Sequence, residues 1–116
     1  MTIMYAIANC DTVKKSRKWL EANNIAYEFH DYKKQGADAA FLEKACTQFG
    51  WQRVVNQKGM TWRRMDEAEK AGIDSQAQAI VLMSEKTSLI KRPILELDDG
   101  TMLLGYDEDE WQAALK

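Results

Sequence analysis

Of the 116 residues, the side chains best suited to nucleophilic or ligand chemistry are two cysteines, Cys10 and Cys46, and a single histidine, His30. Cys10 stands in the polar turn Asn9-Cys10-Asp11-Thr12, after an apolar run from Thr2 to Ala8 and before a helical pattern that continues through Leu20. The N–H groups at a helix start have no intrahelical partner, and the helix dipole adds partial positive charge there. A thiol in that place is pushed toward thiolate, its nucleophilic form. Lowering a thiol pKa by about two corresponds to roughly 2.7 kcal/mol. A helix terminus supplies about 1 kcal/mol, and up to about 2 when partly buried. Asp11 opposes the shift, so at least one Arg or Lys from a distant segment must approach this turn. The local cations Lys14, Lys15, Arg17 and Lys18 lie in the first turns, where the dipole disfavours them. A thiolate or an anionic substrate would offset that cost. Taken alone, such a run is a solvated helix face.

The second cysteine reads differently. Cys46 shares a helical face with Leu42, Ala45 and Phe49 and is expected to pack as a small hydrophobe. A Cys-x-x-Cys pair is absent, because position 13 is Val13. A single-cysteine enzyme needs an outside thiol to resolve its mixed disulfide, and glutathione is the abundant candidate. His30 shares strand parity with Glu28 and is expected to face solvent or accept a hydrogen bond rather than act as a base. One histidine without clustered cysteines or carboxylates makes no metal site.

Bulk properties narrow the class. Hydrophobic content of 46% and charged content of 29% are ordinary for a globular chain of this length, expected to fold as one domain. A net charge of −2 and a pI near 5.4 argue against a general nucleic-acid binder. No apolar run is long enough to span a bilayer, and the N-terminus lacks a signal-peptide pattern. Two cysteines are too few for a disulfide framework. A cytoplasmic protein with no membrane or nucleic-acid partner is expected, and with no heptad or long exposed apolar strand, a monomer.

These residues require elements to position them. Thr2 to Ala8 reads as a strand buried on both faces. Asp11 or Thr12 caps the following helix, with Val13, Ser16 and Leu20 inward beside Trp19 and Ala22, and Asn23-Asn24 ends it. Ile25 to Tyr32 alternates with period two, Tyr27 and Phe29 opposite Glu28 and His30, and reads as a second strand. Asp38 caps a helix that Gly50 terminates. A short helix at Trp51 to Val55, a loop at Gln57 to Met60, a break at Gly72 and a helix capped by Asp74 or Ser75 follow. In that last helix Ala77, Ile80, Val81 and Ser84 form the expected inner face. Pro93 opens a strand containing Ile94, Leu95 and Leu97, Asp99-Gly100 is a hairpin turn, and Thr101 to Tyr106 returns. Asp107 caps a terminal helix, Glu108 to Leu115. The order predicts an α/β protein of thioredoxin-like fold: a mixed sheet, β-α-β then β-β-α, with a helical insert over approximately residues 36–88. In this topology the strand opening at Pro93 lies beside the first strand, near the Cys10 turn.

Three motifs occur in order: Asn9-Cys10-Asp11-Thr12 after the first strand, Thr61-Trp62-Arg63-Arg64 in the insert, and Lys91-Arg92-Pro93-Ile94-Leu95 before the hairpin. Together they resemble the arsenate-reductase-like (ArsC/Spx) family, most closely its YffB branch, over essentially the whole chain. The resemblance implies a thiol-based oxidoreductase in which Cys10 is the nucleophile, Arg63 and Arg92 serve the thiolate and an oxyanion, and Pro93 follows a cis peptide. Asn9, Asp11, Thr12, Lys91 and Pro93 are then the expected substrate-binding residues. No bound cofactor is implied; glutathione is the expected reductant, with glutaredoxin a candidate partner and an oxyanion or thiol compound as substrate. The chain departs from arsenate reductases in two places. Their third arginine has no counterpart at Gly105-Tyr106-Asp107, and their histidine four residues before the cysteine is replaced by Ala6. A tetrahedral dianion is best held by several cationic forks, so the departures favour a glutathione-dependent thiol reductase over arsenate reduction. The third reading that the resemblance implies is an Spx-like regulator that binds RNA polymerase without catalysis; the missing Cys-x-x-Cys switch argues against Spx-type redox sensing.

Overall fold

Four strands form one sheet in the order β2-β1-β3-β4. The computed structural model describes all 116 residues, Met1–Lys116. The chain divides into two units, one made of Met1–Gln35 with Arg92–Lys116 and the other of Gly36–Lys91. No helix is long and apolar enough to cross a membrane.

The first unit holds β1 (Thr2–Ala6), α1 (Asp11–Ala22), β2 (Tyr27–Asp31), the single-turn α2 (Tyr32–Gln35), β3 (Ile94–Glu96), β4 (Met102–Leu104) and α8 (Glu108–Leu115). β1 pairs in parallel with β2 and antiparallel with β3, and β3 pairs antiparallel with β4. This is the mixed, thioredoxin-like sheet expected from the order of elements. Because strand side chains alternate, Met4 and Ala6 of β1, Leu95 of β3 and Leu103 of β4 share a core with Val13, Trp19 and Leu20 of α1 and Trp111 of α8. Ile3 and Tyr5 point the other way and are only half-buried, so β1 is not sealed on both faces as its composition suggests. Trp111 is 0% exposed and meets Trp19 edge-on at 5.9 Å and Tyr106 at 4.9 Å. Its indole Nε1 donates to the Gly105 carbonyl at 3.2 Å, so the buried polar atom is satisfied.

Local signals read correctly where they are self-contained. Asp107 accepts from Glu110 N–H at 3.1 Å and opens α8 with the predicted bounds. The Asp99-Gly100 turn is present: Gly100 takes φ +89°, a conformation open to glycine at no steric cost, and Asp99 Oδ1 accepts from Thr101 N–H at 2.9 Å. Asn23 forms the C-cap of α1, and Asn24 takes a left-handed φ of 58°. Strand ends are shorter than periodicity suggested. Tyr32 leaves β2 to begin α2, and Leu97 lies beyond β3, where its N–H donates to Thr101 O across the turn at 2.8 Å.

The second unit contains α3 (Ala39–Phe49), α4 (Trp51–Val54), α5 (Met60–Arg63), α6 (Glu67–Ala71), α7 (Gln76–Glu85) and a 3-10 turn at Thr87–Leu89. Asp38 caps α3, which buries Leu42, Ala45 and Cys46, and Gly50 ends it at φ +87° with its N–H on Cys46 O. Asp66 and Glu69 close a reciprocal capping box on α6. Ser75, rather than Asp74, caps α7. The expected inner face of α7 is wrong. Ala79 and Met83 are buried, while Ala77 and Ser84 are exposed and Val81 is 59% exposed. Every position from Ala79 to Met83 is apolar, so composition hardly distinguishes one face from its neighbour, and packing against α3, α4 and the 3-10 turn selects it.

Candidate active site

Cys10 is itself the N-cap of α1, with extended φ −151° and ψ 127°, and its carbonyl accepts the first helical bond from Lys14 N–H at 2.9 Å. Neither Asp11 nor Thr12 caps, which corrects the expectation from composition: Asp11 is the first helical residue. The helix starts earlier than the side-chain cap rule suggests, and no side-chain capping bond forms at Cys10. The sulfur consequently lies against the unpartnered N–H groups of the first turn.

The thiol is half-buried, and its surroundings compete. Burial pushes its pKa up. The N–H dipole of Val13, a hydrogen bond from the Arg92 side chain, the Arg92 charge and the N–H dipole of Thr12 all pull it down, and together they hold it below its ordinary value. The required distant cation is therefore Arg92. It joins the site because β3 lies antiparallel beside β1, with Tyr5 opposite Ile94. Continuing that register brings the residues before Ile94 alongside those after Tyr5, at the Cys10 end of β1. The Arg92–Pro93 peptide is cis, and Pro93 is buried with its carbonyl accepting from Gly105 N–H at 2.8 Å.

The other predicted residues are distributed as follows. Thr12 acts on the sulfur through its backbone, while Asn9 and Asp11 are exposed on either side of Cys10. Arg63 is exposed at the end of α5, in the second unit. Lys91 is exposed and its N–H donates to Val54 O at 2.8 Å, also in the second unit. Cys46 is buried in α3, and burial pushes its thiol pKa up to about 11, as befits an unreactive packing residue.

Two surface readings change. Arg17 is not merely solvated: its Nε donates to Tyr27 Oη at 2.9 Å and its guanidinium lies 4.3 Å from the centre of the Phe29 ring. Lys14, Lys15 and Lys18 remain exposed. His30, expected to face solvent or take part in a hydrogen bond, is half-buried with its ring 4.9 Å from that of Tyr5 and 5.8 Å from that of Tyr32. Tyr32 was not singled out from the sequence, where it reads as the last residue of an ordinary strand.

The sequence model described as "ArsC family" matches residues 5–114. The chain belongs to the ArsC family. An uncharacterized protein of Haemophilus influenzae is 48% identical over 114 residues, covering 98% of each chain. Among solved structures, the YFFB protein is 47% identical with a TM-score of 0.94, covering all of both chains. An arsenate reductase (ArsC) related protein from Brucella melitensis is 40% identical with a TM-score of 0.76, covering 99% of this chain and 94% of that one. More distantly, the global transcriptional regulator Spx of Streptococcus mutans is 24% identical over 118 residues, 99% of this chain and 83% of Spx. The similarity in fold to the YFFB protein covers the whole chain, the Cys10 turn and the Arg92–Pro93 segment included.

Proposed function

We propose that this chain is a glutathione-dependent thiol reductase with Cys10 as its nucleophile. The observation that carries the reading is the pairing of Cys10, at the N-terminus of α1, with the Arg92 guanidinium from β3's approach, which favours thiolate. The Cys10 thiolate attacks the glutathione sulfur of a mixed disulfide, RS–SG. An S–S bond forms to Cys10 as the old one breaks, and RS⁻ leaves to take a proton from water. A second glutathione, as thiolate, then attacks the Cys10–SG disulfide, releasing oxidised glutathione and regenerating the Cys10 thiolate. The net change is an exchange: RS–SG and one glutathione thiol become RSH and oxidised glutathione. This sequence requires no second cysteine in the chain, in keeping with Cys46 being buried and its thiol pKa raised. In this reading Arg92 binds a glutathione or substrate carboxylate. Asn9, Asp11, Thr12 and Pro93, in the same unit as Cys10 and Arg92, contact the substrate, and glutaredoxin is an alternative source of the resolving thiol.

The test is mass spectrometry after mixing the reduced protein with oxidised glutathione. One glutathione is expected on Cys10 and none on Cys46. Replacing Arg92 with alanine should raise the alkylation pKa of Cys10 by about 1 and slow adduct formation at neutral pH by roughly tenfold. An adduct absent from Cys10, or one formed equally fast in Arg92→Ala, overturns the proposal. Turnover of arsenate with glutathione and glutaredoxin, abolished in Cys10→Ser, would instead assign the oxyanion as substrate.

A further inference from the structure

The exposed face of α1 carries positive charge that no ion pair neutralises. Lys14, Lys15, Arg17 and Lys18 fall within the first turns of the helix, and against them α1 holds only Asp11 and Glu21. Lys14, Lys15 and Lys18 are exposed and none of them is paired with a carboxylate. Lys70 and Lys86, by contrast, lie 3.6 and 3.8 Å from Glu67 and Glu69. Arg17 is held in place at the edge of this face, by its Nε bond to Tyr27 Oη at 2.9 Å and by the Phe29 ring, whose centre lies 4.3 Å from the guanidinium. These cations occupy the end of the helix where the dipole disfavours them. The whole chain carries a net charge of −2, so the concentration is local.

Helix geometry aims the face at the thiol. Cys10 is the N-cap, and Lys14 and Lys18 follow it at intervals of four residues, so both rise along one side of α1, about 6 and 12 Å from Cys10 along the axis. Cα–Cβ bonds on a helix tilt toward its N-terminus, so these long side chains lean back toward the Cys10 turn. We propose that the Lys14–Lys18 face selects the substrate, a glutathione-linked cysteine in an acidic protein segment whose carboxylates lie about two and four residues from that cysteine. The inference rests on the reading of Cys10 given above and deepens it. There Arg92 takes a carboxylate beside the thiolate, and the α1 cations are left for the polypeptide half of RS–SG. An extended segment advances about 3.3 Å per residue, so its second and fourth residues match the 6 and 12 Å steps of the lysines. The exposed large apolar side chains are Met1, Met60 and Val81, none of them on α1. Recognition here is therefore by charge, and a lipid surface would find no apolar anchor beside the lysines. Attraction of this kind raises the rate of encounter and discriminates between partners of opposite sign. The exchange itself is unchanged: Cys10 bonds to the glutathione sulfur, and the polypeptide thiolate leaves and takes a proton from water.

The experiment uses the full-length protein, glutathione, and three synthetic peptides, each with one glutathione-linked cysteine and with Glu, Gln or Lys at the second and fourth positions on both sides of it. Release of the peptide thiol above the uncatalysed exchange gives kcat/KM for each. Wild type is expected to favour the Glu peptide over the Gln peptide by about tenfold at low ionic strength, with the Lys peptide slowest. The preference should shrink to within about twofold at about 1 M salt, where the Debye length is about 3 Å. In a Lys14→Gln/Lys18→Gln double variant the ratio should fall toward one, and in Lys14→Glu/Lys18→Glu the order should reverse. Thermal unfolding of the glutamine variant is expected at the wild-type temperature or above, since it removes cations from the disfavoured end of the helix. Equal rates on the three peptides in wild type overturn the proposal, and so does an undiminished preference in the charge-reversed variant. Wild-type binding to phosphatidylserine vesicles that the charge-reversed variant loses, with no peptide preference, would assign the face to a lipid surface and overturn it likewise. No thiol released from any peptide would remove the underlying reading and this inference with it, a distinguishable result.

Discussion

Cys10→Ser should abolish glutathione adduct formation and reduce turnover of a glutathione-linked disulfide by at least roughly a thousandfold, because serine's hydroxyl stays protonated where the thiol ionises. The fold should survive. Cys10 caps α1 through its extended backbone and not through a side-chain hydrogen bond, and serine is a favoured residue at that position. The variant should therefore match or exceed wild-type stability at low pH. At higher pH the comparison changes. The Cys10 thiol titrates lower in the folded protein than in the unfolded chain, so between the two pKa values the folded state binds fewer protons. Stability then rises with pH through that window, is fully gained above the unfolded thiol's pKa, and is lost as pH falls through the folded value. Cys10→Ser lacks this rise. Urea denaturation of reduced wild type and Cys10→Ser at several pH values checks it: the stability difference should move in favour of wild type on going from pH about 6 to about 9.5. A difference that stays flat across the range would mean that the folded environment does not favour the thiolate. Retention of adduct chemistry in the serine variant would place the nucleophile elsewhere.

Trp111→Ala should destabilise the protein by about 3–5 kcal/mol, out of a total of roughly 5–15 kcal/mol for a domain. Trp111 is fully buried on α8, touches Trp19 and Tyr106 edge-on, and packs in the core that holds Met4, Leu95 and Leu103 of the sheet. Truncation leaves a large cavity between α8 and the sheet, and it also deprives the Gly105 carbonyl of its Nε1 donor. Trp111→Phe separates the two contributions. It keeps most of the ring volume while removing the donor, so a loss of about 1–3 kcal/mol is expected. Urea denaturation followed by far-UV circular dichroism measures both. Losses below about 1 kcal/mol for the alanine variant would mean that α8 contributes little to closing the core.

The elements most legible in the sequence were those whose signals lie within a few residues. Asp107 before Glu108–Leu115, Asp38 before Ala39–Phe49, Gly50 after it, and Asp99-Gly100 between two short strands all act through local backbone geometry, and each was read correctly. β1 followed from a continuous apolar run, β2 from period-two alternation and the terminal hairpin from Pro93 and Asp99-Gly100, and with them the thioredoxin-like order of the sheet. Errors fell where a choice between similar neighbours depends on what packs against them. In α7 the apolar residues run nearly all round the middle of the helix, and only its packing partners select Ala79 and Met83. The α1 cap was misassigned because Asp11 and Thr12 are both good capping residues, whereas the path of the chain out of β1 puts Cys10 in the capping position. Arg17 reads as one of a solvated cationic run until β2 brings Tyr27 and Phe29 beneath it.

At the candidate site the division is sharper. By sequence alone, a thiol at a strand-to-helix turn stood out as the candidate nucleophile, and the size of the pKa shift it would need pointed beyond the helix terminus to a distant cation. Residue type and spacing determine that much, because the helix dipole and the free N–H groups come from the local chain. Which cation arrives, only the tertiary structure decides. Arg92 reaches Cys10 because β3 lies antiparallel beside β1. Cys10 and Arg92 lie far apart in the chain, and nothing in a short window records a register formed by hydrogen bonds between distant strands.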